Sequence, residues 1–84
     1  MTSLKQLAAS LATVLAQLEQ VRQQLSVAMT HIEATNQSVG TMFSGTADPR
    51  AAELPVNLVQ AEQELSGSYR LCQQSENIVG AYLA

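Results

Sequence analysis

The chain has 84 residues, one cysteine and a net charge of −3, with Lys5, Arg22, Arg50 and Arg70 as its cations. That length allows one domain, an internal disulfide is impossible, and the scattered cations argue against nucleic acid and against an anionic membrane surface. A chain this short without a disulfide or a metal site gains a core most readily by oligomerisation.

Ser3-Leu4-Lys5-Gln6 reads as a capping box, in which a serine hydroxyl and a glutamine side chain serve each other's backbone N–H. From Leu4 the apolar residues keep a heptad spacing. A first column holds Leu4, Leu11, Leu18, Leu25, Ile32 and Val39. A second, three places on, holds Leu7, Val14, Val21, Ala28, Thr35 and Met42. A third, four places on from the first, holds Ala8, Leu15, Arg22, Met29, Asn36 and Phe43, and is mostly apolar. The flank beyond the second column is wholly polar: Ser10, Gln17, Gln24, His31 and Ser38. Only a long α-helix, over about residues 4–43 and roughly 60 Å long, sets such columns on one face. The stripe is wider than a two-stranded coiled coil needs, which points to a bundle.

Gly40 and Gly45 loosen the end of this helix, and residues 44–48 form a link. Asp48-Pro49 is a helix start, an N-cap carboxylate followed by proline at the first helical position. A second helix is predicted over about 49–82. Pro55 predicts a short first turn, then a kink or restart near Leu54. Leu54, Leu58, Ala61, Leu65, Ser68, Cys72, Ser75, Val79 and Tyr82 form its facing stripe, with Leu71 and Ile78 widening it.

A link this short makes an antiparallel hairpin. In the register it suggests, Leu11 faces Tyr82, Leu18 faces Ser75, Leu25 faces Ser68 and Ile32 faces Ala61, and in the second column Val14 faces Val79 and Val21 faces Cys72. Large side chains then meet small ones. Leu4 and Leu7 overhang. The expected fold is all-α: a single antiparallel two-helix hairpin over residues 1–84 that dimerises into a four-helix bundle. The flank left for the second molecule is Ala8, Leu15, Met29 and Phe43 on the first helix, with Leu71 and Ile78 on the second and Gly45 at the tip. Covering several such side chains, at roughly 25 cal/mol per Å², favours a dimer over the lone hairpin.

Little here suggests chemistry. His31 lies on the polar flank and reads as a solvated or rim histidine. Cys72 has no predicted cation beside it to form a reactive thiolate and reads as a small core residue. Glu62 and Glu64 point in different directions and make no carboxylate pair. Glu19 with Arg22, and Arg50 with Glu53, read as surface ion pairs. No phosphate-binding loop or nucleophile motif is present, so no enzyme, cofactor or metal is expected.

The tip, Phe43-Ser44-Gly45, sets an aromatic residue two before a glycine between two helices. A small acidic helical hairpin with this tip resembles the WXG100 (ESX-type) proteins. The resemblance implies a four-helix-bundle dimer and export by a type VII secretion system without a cleaved signal peptide. Phe43 stands where that family has tryptophan, with Gly45 as its glycine. The tryptophan is missing, and so is the family's C-terminal Tyr-x-x-x-Asp/Glu signal: Tyr69 is followed four places on by Gln73, and Tyr82 lies two residues from the end. The chain is also similar to uncharacterised actinobacterial helical-hairpin proteins with a Gly/Pro-containing tip and a Tyr-Leu near the end.

The sequence thus supports a non-enzymatic protein–protein interaction module that pairs with itself or with a related hairpin. Its alternative is a cytosolic accessory or scaffold protein that binds a partner's amphipathic helix. An enzyme or carrier using the bundle interior ranks last. The N-terminus lacks the pattern of a cleaved signal, which leaves a cytoplasmic location or export without one.

Overall fold

The protein is described by a computed structural model covering residues 3–84. Met1 and Thr2, the start of the expected domain, lie outside the described residues. Those described form two long helices and no strand: α1, Leu4–Met42, and α2, Pro49–Leu83. They lie side by side as a hairpin measuring 64 × 19 × 15 Å.

Each helix end is closed locally. The Ser3 hydroxyl accepts from the Gln6 N–H at 3.1 Å, and the Gln6 side chain accepts from the Ser3 N–H at 3.0 Å. Two of the orphan donors at the start of α1 are thereby satisfied. At its other end the Phe43 N–H donates to the Val39 carbonyl, and the Thr46 N–H then donates to the Phe43 carbonyl. That turn takes Gly45 to φ +81°, where a side chain is strained. The Asp48 carboxylate accepts from the Arg50 N–H at 2.9 Å and opens α2.

The restart expected near Leu54 is absent, because α2 runs unbroken through Pro55. The proline forgoes the bond to the Ala51 carbonyl. Pro55 is half-buried and lines the groove at the tip together with Val39.

The line of contact differs from the expected one by a rotation of both helices. On α1 the half-buried residues are Leu11, Leu18, Leu25 and Ile32 of the first column with Leu15, Arg22, Met29 and Asn36 of the third, and Ala28 alone of the second. On α2 they include Leu58, Leu65, Cys72 and Val79, with Pro55, Glu62, Tyr69 and Glu76 beside them. Leu7, Val14 and Val21 of the second column are 40–46 % exposed. Leu54, Ser68 and Tyr82 of the expected facing stripe are exposed as well. Arg22 explains the turn. Placed on the seam, it meets Glu76 and Tyr69 across the hairpin; on the outer flank it would meet neither.

Val39, at 5 % exposure, is the only hydrophobic residue among those described that is buried. It lies where the tip closes over the seam. Elsewhere two helices leave each other half covered, and the surface shows it. The chain exposes 6312 Å², whereas a compact fold of 9.0 kDa exposes about 4,900 Å².

Two predictions follow from the turn and the cap. Open space surrounds a Cβ built at Gly45, so Gly45→Ala acts through the backbone alone and lowers stability by about 1–2 kcal/mol in urea titration. The Asp48 carboxyl is held below the usual carboxylate range by its hydrogen bond with the Arg50 side chain, and then by the Arg50 backbone N–H. A lowered folded-state pKa stabilises fully above the unfolded value and is lost as the pH falls through the folded one. The first turn of α2 therefore frays on acidification below about pH 4. Amide shifts of Arg50 and Ala51 followed against pH read this out, and Asp48→Asn abolishes the dependence.

Candidate interaction surface

The seam carries one polar cluster. Arg22 Nε donates to Glu76 Oε2 at 2.8 Å, and Arg22 Nη1 donates to the Tyr69 hydroxyl at 3.2 Å. The guanidinium also lies 5.6 Å from the centre of the Tyr69 ring, within cation–π reach. Tyr69 and Glu76 sit one heptad apart on α2, so both reach Arg22 from the same side. The Glu76 side chain is only 11 % exposed and that of Arg22 29 %. Hydrogen bonding to Tyr69, and then to Glu76, raises the Arg22 pKa above its usual value and keeps the charge fixed. The pairing of Arg22 with Glu19 expected from sequence is therefore replaced by one across the hairpin. Arg50 pairs with Asp48 at 3.0 Å rather than with Glu53. This cluster binds itself: two charges and a hydroxyl satisfy one another.

The expected interaction residues fall into three groups. Leu15 and Met29 are half-buried on the seam and face α2, whereas Ala8 is exposed. At the tip Phe43 and Gly45 are exposed. Leu71 and Ile78 are each 61 % exposed on the outside of α2. Leu7, Val14, Val21 and Tyr82 join them on the outside, although sequence reasoning had placed all but Leu7 against the opposite helix. A signal for this existed in the third column: Arg22 interrupts an apolar row, and a cation there marks either solvent or a partner carboxylate.

In an antiparallel pair, columns turned the same way from the seam emerge on the same face. Arg22, Tyr69 and Glu76 mark one face. The second column of α1 and the Leu54–Tyr82 row of α2 emerge on the other. That face is apolar along most of its length.

His31 is exposed, and Cys72 is half-buried on the seam. Among the described residues no three His, Cys, Asp or Glu side chains are grouped as a metal site would require. Nor is any helix among them long and apolar enough to cross a membrane. Compared with known protein families, with characterised proteins and with solved structures, the chain matches none of them.

The seam cluster has a signed consequence. Arg22→Met leaves Glu76 largely covered and without its cation, and lowers the melting temperature. The double variant Arg22→Met/Glu76→Leu recovers that loss or exceeds it, because an apolar pair of similar volume removes two desolvated charges. Thermal unfolding followed by circular dichroism compares the three proteins.

Proposed function

We propose that this chain is a non-enzymatic protein–protein interaction module whose working form is a homodimer, two hairpins forming an antiparallel four-helix bundle. The observation that carries this reading is the missing interior. Val39 alone among the hydrophobic residues described is buried, while fourteen large hydrophobic side chains are exposed. The surface in excess of a compact chain, about 1,400 Å² per copy, is what an obligate dimer interface removes.

The same reading extends to export. The WXG100 resemblance supports a type VII secretion substrate that leaves without a cleaved signal peptide, and the exposed Phe43 beside Gly45 at positive φ is the feature that supports it. Appearance of the protein in culture supernatant, dependent on that machinery, tests this part. The alternative is a scaffold that takes a partner's amphipathic helix into the same four-helix assembly.

Sedimentation equilibrium at micromolar concentration decides the assembly. The expected mass is twice 9.0 kDa, with a melting temperature that rises with protein concentration. A folded monomer whose melting does not depend on concentration overturns the dimer. A complex of one copy with a different helical chain, formed in preference to the dimer, moves the function to the scaffold.

A further inference from the structure

Resting on the dimer reading, we propose where the second copy docks. It covers the face opposite the Arg22 cluster, with α1 of each hairpin lying over α2 of the other about a two-fold axis parallel to the bundle. The surface is made by Leu7, Val14 and Val21 of α1 and by Leu71, Ile78 and Tyr82 of α2.

The two faces of the hairpin differ sharply in chemistry. Beside the Arg22 cluster the next column of α1 carries Lys5, Ala12, Glu19, Ser26 and Glu33, and that of α2 carries Val59, Ser66 and Gln73, so this face is the more polar of the two. These residues are exposed, as a solvated face requires. The opposite face carries the second column of α1, the most apolar on that helix after the seam itself. Its valines and leucine remain 40–46 % exposed, and Leu71, Ile78 and Tyr82 between 61 and 75 %. Exposed large apolar side chains gathered on one face are what an interaction site offers.

A second copy is the occupant because the face complements itself. Along α1 the outward column is large at Val14 and Val21. Along α2 the row on this face is small at Ala61, Ser68 and Ser75, the first and last half-buried, and large at its ends, Leu54 and Tyr82. Arg22 reaches both Tyr69 and Glu76, so Val21 lies level with the stretch from Ser68 to Ser75. Setting α1 over the partner's α2 places Val21 of each copy against the Ser68–Ser75 stretch of the other, and an isologous contact does this twice. Setting each helix over its own counterpart instead lays Ser68 and Ser75 against serine, small against small, and leaves voids. The covered hydroxyls need no partner from the other chain. Thr13, Thr30 and Ser38 already return their hydroxyls to the carbonyl four residues back, and Ser68 and Ser75 have the same option.

Disulfide trapping reads the face and the pairing together. In a Cys72→Ala background, proteins carrying only Val21→Cys, Ser75→Cys, Glu19→Cys or Gln73→Cys are prepared. Each has one thiol, so every disulfide formed joins two chains. Circular dichroism first confirms that each is helical, and sedimentation that each has twice the monomer mass. Under mild oxidation, an equimolar mixture of Val21→Cys with Ser75→Cys yields chiefly the mixed disulfide dimer. Glu19→Cys with Gln73→Cys stays reduced. A dimer that links through Glu19→Cys and Gln73→Cys overturns the docking face while leaving the dimer standing. Val21→Cys linking chiefly to itself overturns the pairing of α1 with α2. A monomer mass in the background protein overturns the docking and the dimer alike.

Discussion

Two helices side by side touch along a single line, and a line encloses nothing. Each helix shields a strip of the other, and every side chain on that strip keeps one edge in water. This explains why Leu18, Leu25 and Ile32, at the centre of the hairpin, are only half-buried. Val39 is the exception because the chain turns over it at the tip, supplying a third wall from the loop and the start of α2. Hydrophobic stabilisation scales with area removed from water. A geometry that leaves most apolar side chains partly wet therefore captures only part of what its sequence offers.

What occupies the line is as telling as its shape. The seam accepts an arginine, a glutamate and a tyrosine at its edge, and these satisfy one another across the two helices. A covered ion pair adds less to stability than an apolar pair of the same volume, yet it penalises any register that separates its members. The long repeating leucine column would tolerate a slip by one heptad, since leucine would still meet a similar neighbour. Arg22 would then lose one of its two partners, so the cluster fixes which turn of α1 faces which turn of α2. The apolar second column, freed from the seam by the same rotation, is left facing outward.

Local chemistry was legible in the sequence because it is encoded within a few residues. The capping box of Ser3 and Gln6, the left-handed turn at Gly45 and the Asp48-Pro49 start each involve neighbours in the chain, and each stands where the sequence predicts. The rotation of the helices was not legible. Residues three and four places from the first column lie on either side of it, and a heptad pattern with three apolar columns does not say which flank turns inward. The carboxylate that receives Arg22 lies 54 residues further along the chain, beyond the reach of any local pattern. Pro55 misled for a related reason: its propensity is local, whereas its burial beside Val39 is not. Of the exposed apolar residues on α2, Leu71 and Ile78 were foreseen and Leu54 and Tyr82 were not. On α1, Leu15 and Met29 of the foreseen flank turned to the seam while Ala8 and Phe43 stayed exposed, and Val14 and Val21 joined them outside.

In the dimer proposed above, this arrangement couples folding to association. The polar residues able to pair inside one chain do so at the seam, and the apolar column that a seam could have buried remains outside. The leucines of the first column line the seam with Arg22, while Leu7, Val14 and Val21 of the second stay outside, where the proposed second copy would cover them. Ordering the long helices costs conformational entropy at every residue, and half-covered side chains return little against it. In that proposed dimer, stability depends on the concentration of the second copy.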